Sequence, residues 1–284
     1  MKKKKLCIAI PASVVSDTPH LREKTSKIGL IGRVAAIFRV DEIIVYSDNL
    51  KADQSRDMDL ITTLLAYMET PQYLRKRLFM LKPQLRYAGI LPPLRTPHHP
   101  LNRKMKNLKV GEYREGVTIS KTKEGMLIDI GVEQPALMLG KQLAVGKRVT
   151  VKIVEVDKRI EVEMANRTEI PDYWGYIVVA ENHPLGTLVK NRAFDLCIAT
   201  SKYGVQLAEV AEEIDDKWRK ANSILVEFGA PTKGLFEIVK DEGLSLTDVS
   251  DFVVNTIPMQ GTETVRTEEA LIASLAILNM RFGF

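Results

Sequence analysis

The first third of the chain alternates strand-like and helix-like hydrophobic patterns. An apolar run from Lys5 to Pro11 predicts a buried strand, and apolar residues at helical spacing over Leu21–Phe38 predict a helix. Asp41–Tyr46 then has the pattern of a second strand and Asp53–Met68 that of a second helix. Because strands and helices alternate, we expect parallel strands joined by crossover helices, as in an α/β domain.

The pattern changes at the proline-rich segment Pro92–Pro100. From there to about residue 170, short strands alternate with turns that contain glycine. Clear alternation over Arg148–Val156 and Ile160–Met164 predicts half-buried antiparallel strands. Four or five such strands predict a small β-barrel. A five-stranded OB-like barrel fits best, with an SH3-like barrel as the rival, and OB-like barrels commonly bind single-stranded nucleic acid.

After Tyr173 the α/β pattern returns. Four apolar runs (WGYIVVAE, FDLCIATS, SILVEFG and DFVVNTIP) predict four more strands, and Thr267–Phe282 predicts a strongly periodic final helix. The sequence therefore predicts one α/β domain with a mostly parallel sheet, interrupted by an inserted all-β barrel. We place the N-terminal half of the α/β domain at residues 1–95, the barrel at 96–170 and the C-terminal half at 171–284.

The chain is mildly basic, and the basic residues are concentrated in one stretch. The formal net charge is +5 and the isoelectric point is near 9.0. From Tyr73 to Lys109 there is no Asp or Glu, and the basic residues there are Arg75, Lys76, Arg77, Lys82, Arg86, Arg95, Arg103, Lys104, Lys106 and Lys109. Such a stretch is either an ordinary solvated surface or one that attracts phosphates, and its length favours contact with a nucleic acid.

Several classes of function receive no support from the composition. The two cysteines, Cys7 and Cys197, each lie in an apolar run and are expected to be buried rather than paired or catalytic. Histidines and cysteines do not occur at zinc-site spacing, so no metal is expected. Pro11 ends the short apolar run after the basic start, which favours a first strand over an export signal. No apolar run is long enough to span a membrane, and we expect a cytoplasmic protein.

Three segments join a predicted strand to a turn rich in glycine, proline and threonine: Cys197–Gly204, Leu225–Leu235 and Val253–Leu271. Ligands of open α/β sheets bind at the carboxyl ends of the strands. Glycine lets the backbone approach a ligand there, and exposed peptide groups can bind the edge of an adenine. Each segment alone is compatible with an ordinary connecting loop. The prediction of a ligand site therefore depends on all three segments together.

The order and detail of these segments resemble the signatures of the SPOUT family of RNA methyltransferases. FGxPxxGL follows one strand, NTxPxQGxxxxRxEEAL opens the final helix, and IGRVAAIFRVDEIIVY (Ile31–Tyr46) is similar to the family's first motif. The resemblance is closest to the archaeal and eukaryotic branch with a β-barrel inserted into the catalytic domain. That branch has a PHH segment before the insert, here Pro97–His99, and a YWGY-like segment after it, here Tyr173–Tyr176.

The resemblance implies a fold and a cofactor. The C-terminal helix would thread through a loop of the preceding strands to form a trefoil knot, which would bind S-adenosylmethionine (SAM) and form a homodimer near the knot. The implied cofactor-binding residues are Thr200, Ser201 and Tyr203 in a first loop, Phe228, Gly229 and Ala230 in a second, and Asn255, Thr256, Ile257, Gln260, Gly261, Thr264 and Val265 in a third.

The resemblance also implies that arginines act on the RNA. Arg33 would activate or orient the acceptor, because methyl transfer needs an in-line approach and neutralisation of the acceptor's charge. Arg22, Arg39 and Arg266 are expected on the substrate side. Arg33 could instead form a salt bridge on the helix surface, and Arg266 could pair with Glu268 or Glu269. Arg39 departs from the family pattern, since many members have glycine at this position.

The sequence thus predicts a SAM-dependent RNA methyltransferase acting on rRNA or tRNA. The alternative is a non-catalytic RNA-binding or ribosome-assembly protein that keeps the knotted fold, and cofactor binding separates the two. A nucleotide-dependent enzyme is not supported, because GxxxxGK[ST] is absent and no GxGxxG is well placed. The acceptor atom stays open among a ribose 2′-oxygen, a uridine ring nitrogen and a guanine ring nitrogen.

Overall fold

Strands and helices alternate along the chain except for a central run of strands. The computed structural model describes residues 4–140 and 142–283. Within them the strands are β1 (Lys5–Pro11), β2 (Glu42–Tyr46), β3 (Tyr113–Lys121), β4 (Gly125–Asp129), β5 (Ala136–Leu139), β6 (Arg148–Val156), β7 (Ile160–Met164), β8 (Ile177–Glu181), β9 (Leu196–Gln206), β10 (Ser223–Glu227) and β11 (Phe252–Asn255). The α-helices are α1 (Leu21–Ile37), α2 (Ser55–Glu69), α3 (Gln72–Leu78), α4 (Leu185–Arg192), α5 (Leu207–Lys220), α6 (Leu235–Asp241), α7 (Leu246–Val249) and α8 (Thr267–Phe282).

A parallel sheet forms the centre of the first of two compact units. This unit comprises the described residues up to Ala66, Gln84–Pro92 and the residues from Tyr176 onward. Its strand order is β11-β9-β10-β1-β2-β8, and every neighbouring pair is parallel. β1 and β10 are central, and Ile8 and Leu225 on them have no exposed surface. The predicted α/β class with a parallel sheet is confirmed.

The hydrophobic pattern locates the first and last elements of this unit closely, whereas β9 extends to Gln206, five residues beyond the predicted run FDLCIATS. β1 and α8 have the predicted bounds, whereas α1 ends at Ile37 instead of Phe38. The second helix runs over Ser55–Glu69 instead of Asp53–Met68. α1 packs against α8, and burial of one face of each helix produces the helical spacing of their apolar residues.

Both cysteines are free and buried, as predicted. Cys7 lies on β1 and Cys197 on β9. Burial raises the pKa of the Cys7 thiol to about 12 and raises the pKa of the Cys197 thiol as well. Because the thiolate is the reactive form of cysteine, neither side chain is a nucleophile near neutral pH.

The second unit, Tyr67–Pro83 with Pro93–Gly175, is built around a closed five-stranded barrel. Its strands are neighbours in the order β3-β4-β5-β7-β6, and β6 closes the barrel on β3. β5 and β7 pair in parallel, and the other pairs are antiparallel. Alternation along β6 places Val149, Val151 and Ile153 in the barrel core. The predicted small β-barrel is confirmed.

In the second unit, His98 and His99 of the PHH segment and Trp174 and Gly175 of the YWGY-like segment lie together beside Glu69. The ring centroids of His98 and Trp174 are 5.9 Å apart. The Nε2 atoms of His98 and His99 lie 2.9 and 2.7 Å from the backbone oxygen of Glu69. Gly175 has a φ of +79°, and a Cβ there would lie 2.5 Å from the His98 ring. Only glycine fits this position. The packing of Gly175 against His98 therefore explains why the glycine and the histidine occur in these two segments.

Glu69 is also the buried centre of an ion-pair cluster in the second unit. Arg148 and Arg167 each donate to its Oε1 at 3.0 Å. Burial alone would raise the pKa of Glu69, but the hydrogen bond from His98 and the charge of Arg148 hold that pKa well below its usual range. The cluster therefore joins the end of α2 to barrel strand β6, and loss of one partner would leave a costly buried charge.

Candidate functional site

One cavity of about 320 Å³ lies at the carboxyl ends of β9, β10 and β11. The sheet order brings these ends together, because β9 lies between β10 and β11. The cavity is lined by Thr200, Ser201, Lys202, Tyr203, Phe228, Gly229, Ala230, Pro231, Thr232, Lys233, Gly234, Leu235, Phe236, Glu237, Asn255, Thr256, Ile257, Gln260, Thr264, Val265, Thr267 and Ala270. Its size and its place at the strand ends are typical of a small-molecule site.

The first wall of the cavity is the outer half of β9. Thr200 Oγ1 donates a hydrogen bond to the backbone oxygen of Glu227 at 2.8 Å, which joins this wall to β10. Tyr203 is 75% exposed at the rim. A Cβ at Gly204 would lie 2.6 Å from the backbone oxygen of Val253. The close approach of β9 and β11 therefore requires glycine at this position.

The second wall is the loop between β10 and α6. Phe228 is buried, and its backbone oxygen accepts a hydrogen bond from the Tyr46 hydroxyl at 2.8 Å. The N–H of Ala230 donates to the backbone oxygen of Lys233 at 2.9 Å and closes a tight turn. A Cβ at Gly229 would lie 3.3 Å from the same oxygen. The turn therefore has little room for a side chain at Gly229.

The third wall is the loop between β11 and α8, and side chains tie it to β9. Asn255 accepts a hydrogen bond from the N–H of Ile257 at 2.9 Å and donates to the backbone oxygen of Lys202 at 3.2 Å. The ammonium of Lys202 donates to the backbone oxygen of Glu263 at 3.1 Å. Gln260 donates to that oxygen at 3.2 Å. The first and third walls are thus held in a fixed relation.

The start of α8 contacts the other two walls. Thr267 Oγ1 donates to the backbone oxygen of Gly229 at 2.9 Å. The hydroxyls of Thr256 and Ser274 form a buried hydrogen bond of 2.7 Å. These bonds hold the second and third walls against the helix.

Among the cavity residues, Lys202, Lys233 and Glu237 carry a charge. The two lysines have partners, since Lys202 binds a backbone oxygen and Lys233 pairs with Asp241. Glu237 lies in the first turn of α6, and its carboxylate has no hydrogen-bond or ion-pair partner within residues 4–140 and 142–283. The cavity therefore offers the Glu237 carboxylate to a cationic or hydroxyl group of a ligand.

Glu227, the last residue of β10, lies directly before the second wall. It has no exposed surface, and Ser250 Oγ donates to its Oε2 at 2.7 Å. Its Oε1 has no hydrogen-bond partner in the described part of the chain. Burial raises the pKa of Glu227 to about 7, and the charge of Asp251 adds to the shift. The sheet therefore favours a neutral carboxyl beside the cavity.

The residues predicted to bind the cofactor come together around this cavity, except for Gly261, which is outside its lining. The sequence did not indicate Lys202, Phe236, Glu237 or Thr267. Lys202 lies between two predicted residues and could have been inferred from them. Phe236 and Glu237 lie just beyond the FGxPxxGL motif, where no sequence signal shows that the first turn of α6 faces the cavity.

The four arginines predicted to act on the RNA lie outside the cavity lining. Arg33 is half-buried in the second half of α1, and Arg22 is exposed in the first turn of that helix. Arg39 is exposed just after α1. Arg266 precedes α8, and its backbone N–H donates to the Glu269 carboxylate at 2.9 Å.

Arg39 terminates α1 in a backbone conformation that favours glycine. Its φ is 55°. The N–H of Arg39 donates to the backbone oxygen of Ala36 at 3.3 Å, and that of Val40 donates to Ala35 at 2.9 Å, which is the pattern of a Schellman motif. The position after the helix in this motif is usually glycine. Many SPOUT family members have glycine where this chain has Arg39, and this position is the one that ends α1.

None of the helices in the described residues is both long enough and apolar enough to cross a membrane. The same residues contain no group of three or more His, Cys, Asp or Glu side chains placed to hold a metal ion.

Comparison with known proteins identifies the family. A family model described as "Putative RNA methyltransferase" matches residues 5–278. The 28S rRNA (uridine-N(3))-methyltransferase of Drosophila melanogaster is 32% identical over 96% of this chain. The match covers 61% of the fly protein, so this chain spans less than two thirds of its length. The enzyme of the same name from Mus musculus is 33% identical over 96% of this chain, which spans 75% of it. An uncharacterized protein of Halobacterium salinarum is 32% identical, with 96% of this chain and 98% of its own length covered. The chain belongs to this family of RNA methyltransferases.

Proposed function

We propose that this protein transfers a methyl group from SAM to N3 of a uridine in ribosomal RNA. The observation that carries the proposal is the convergence of three separate loops on one cavity lined by residues that the SPOUT resemblance assigns to SAM. The names of the fly and mouse relatives supply the RNA class and the acceptor atom. These names support N3 of uridine over a ribose 2′-oxygen or a guanine ring nitrogen, the other acceptor atoms left open by the sequence.

The shape of the cavity fits a cofactor of this kind. Its volume of about 320 Å³ is within the usual range for small ligands. The tight turn at Gly229, where a Cβ would lie 3.3 Å from the backbone oxygen of Lys233, brings backbone without a side chain to the cavity wall. Phe228, Ile257 and Val265 give apolar surface for an adenine, and Glu237 gives a carboxylate for the ribose hydroxyls or the ammonium group.

The residues of the cavity bind and orient the donor in this proposal. SAM, when bound, supplies a methyl group on a sulfonium centre. Thr200, Ser201 and the backbone of the second and third walls hold the donor in place. Phe228 is buried and fixed by Tyr46, so the donor meets a preorganised surface.

The acceptor needs a different kind of help. N3 of uridine carries a proton, which passes to solvent before the N3 lone pair forms the new bond to carbon. A guanidinium beside the ring favours the resulting negative charge, and we assign this role to Arg33. Arg33 lies on α1, which packs against the helix that opens at the cavity. Arg22, Arg39 and Arg266 remain candidates for contact with the RNA.

The finer features of the fold belong to the same proposal. We propose that the strands around the cavity form the trefoil knot of the SPOUT family, and that two copies associate near it as a homodimer in the cytoplasm. We also propose that the barrel is of the OB type. The barrel strands β3 to β7 are the first to fifth strands of the barrel. They are neighbours in the order β3-β4-β5-β7-β6, and the third and fifth, β5 and β7, are parallel, which supports this assignment.

Calorimetry with SAM and S-adenosylhomocysteine tests the donor site. We expect saturable binding of one ligand per chain for both compounds. ATP is the matched control and should give no saturable signal, because the chain lacks a phosphate-binding GxxxxGK[ST] loop. Absence of SAM binding at millimolar ligand would overturn the proposed enzyme and favour a non-catalytic RNA-binding protein.

A further inference from the structure

Residues 101–110, here named the basic cap, form a short basic segment at the entry to the barrel. The segment reads LNRKMKNLKV and includes a 3₁₀ turn over Met105–Asn107. It lies entirely within the second unit, directly before β3. Its basic residues are Arg103, Lys104, Lys106 and Lys109, and it contains no acidic residue.

Apolar and polar contacts anchor the basic cap to the barrel. Leu108 is 8% exposed and belongs to the barrel core, and Met105 packs against that core. The N–H of Met105 donates to a carboxylate oxygen of Glu133 at 2.7 Å. The buried guanidinium of Arg114 donates to the backbone oxygen of Asn102 at 3.1 Å. The segment is therefore part of the barrel structure.

Internal hydrogen bonds fix the shape of the basic cap. Asn102 Oδ1 accepts hydrogen bonds from the N–H of Lys104 at 3.0 Å and from the side chain of Asn107 at 3.3 Å. The N–H of Leu108 donates to the backbone oxygen of Met105 at 2.9 Å. A backbone fixed in this way presents its side chains to a partner at a reduced entropic cost of binding.

The side chains of the four basic residues in the basic cap are exposed. None of their four side chains makes an ion pair or hydrogen bond to the described residues, whereas the barrel arginines Arg114, Arg148 and Arg159 all pair with glutamates. The two nearby carboxylates are already engaged. Glu112 pairs with Arg114, and Glu133 binds the backbone of the cap. The charges of Lys104 and Lys106 act on Glu133, but the four cations outnumber the nearby carboxylates in the described residues, so the cap keeps a net positive charge.

The strand face that OB-type barrels commonly use is less suited to RNA here. β4, β5 and the connections at 122–124 and 157–159 contain no Phe, Tyr or Trp, so this surface offers no ring on which a base can stack. Its arginine, Arg159, is neutralised by Glu124 and Glu161. The basic cap instead combines its cations with exposed apolar side chains, Leu101 at 90% and Val110 at 67% exposure.

We propose that the basic cap is the RNA-docking surface of the barrel and binds the phosphate backbone of the substrate RNA. This inference rests on the proposed function for the identity of the partner. The four cations bind phosphates and set the position of the RNA, and the cap does not select its sequence. The strand face of the barrel contributes little to RNA affinity.

Two charge-matched variants test the proposal. The cap variant is R103Q/K104Q/K106Q/K109Q. The control is K121Q/K123Q/K147Q/K158Q, which removes four exposed lysines from strand ends and connections elsewhere on the barrel. The probe is a fluorescein-labelled RNA hairpin with a uridine-rich loop, titrated with protein at several salt concentrations and followed by fluorescence anisotropy.

Loss of phosphate contacts lowers both affinity and salt dependence. Each contact adds about 0.7 to 0.9 to the slope of log affinity against log salt, so the cap variant should lose about 3 from the slope and roughly ten-fold or more in affinity. The control should stay within about three-fold of the wild type. Equal losses in both variants, or a larger loss in the control, would overturn the proposal, as would a wild type that does not bind the hairpin.

The outcome can be separated from a failure of the proposed enzyme. The RNA titration contains no SAM, and SAM binding is measured for the same variants by calorimetry. If the cap variant binds SAM with unchanged affinity but binds RNA more weakly, the result supports the basic cap as the RNA-docking surface, whichever atom of the RNA is methylated. If the four-fold variant does not fold, R103Q/K104Q should still lower the salt slope by about 1.5, and an unchanged slope would contradict the proposal.

Discussion

Replacement of Glu227 by glutamine should remove a pH dependence of stability that arises beside the cavity. The carboxyl is buried at the end of β10, with one bond from Ser250 and one oxygen without a partner in the described residues. Glutamine has nearly the same shape and cannot ionise. The variant therefore separates the effect of the charge from the effect of packing.

The size and sign of the effect follow from the pKa. The pKa of Glu227 is raised from 4.5 to about 7 in the folded protein. Below pH 4.5 both the folded and unfolded states are protonated, and the stabilisation from this group is fully present. Between pH 4.5 and 7 the unfolded state is ionised and the folded state is not, so the stabilisation falls as the pH rises and is lost above about pH 7. A rise of the pKa from 4.5 to about 7 corresponds to about 3 kcal/mol of unfolding free energy.

Urea unfolding of the wild type and E227Q at pH 5 and pH 8 measures the difference. The wild type should be slightly more stable at pH 5, because the new amide lacks a partner for its N–H groups, and E227Q should be the more stable at pH 8. S250A is the control. It keeps the carboxyl but removes the hydrogen bond that lowers its pKa, so the pH dependence should persist. Parallel pH profiles for the wild type and E227Q would refute the reasoning.

Three further predictions concern the donor site, the acceptor and the end of α1. Gly229→Ala should weaken SAM binding about ten-fold by calorimetry, because the new methyl group crowds the turn. The control Gly261→Ala, outside the cavity lining, should change SAM affinity by less than about three-fold, and equal effects of the two variants would contradict the assigned walls. Arg33→Ala should abolish methyl transfer in a labelled-SAM assay but leave SAM affinity within a few-fold, and a large loss of SAM binding would contradict its acceptor-side role. Arg39→Gly should raise the unfolding free energy by up to about 1 kcal/mol through relief of the left-handed backbone, and a loss of more than that would show a stabilising arginine contact.

The fold was predictable where local pattern and burial coincide. β1 and α8 have their predicted bounds because each is a continuous apolar or periodic run. The convergence of the three loops was also predictable, since the carboxyl ends of parallel strands share one edge of a sheet. The RNA methyltransferase family was indicated by the order of the motifs and is shown by the match over residues 5–278.

Features that depend on long-range contacts were not predictable. No local pattern shows that Glu237 faces the cavity, because it lies on an exposed turn beyond the motif. The ion-pair cluster of Glu69 with Arg148 joins residues far apart in sequence. The positive φ of Arg39 could not be predicted from its residue type, because arginine rarely adopts such a φ. The glycine that many SPOUT family members have at this position is the one sequence signal for it.

The acceptor atom is the central claim, and one measurement tests it directly. Ribosomal RNA from cells that lack the gene is incubated with the protein and methyl-labelled SAM, digested to nucleosides and separated by liquid chromatography with mass spectrometry. We expect the label in 3-methyluridine, and we expect it to be lost with Arg33→Ala. Label in a ribose-methylated nucleoside or a methylguanosine, or no transfer by a protein that binds SAM, would contradict it.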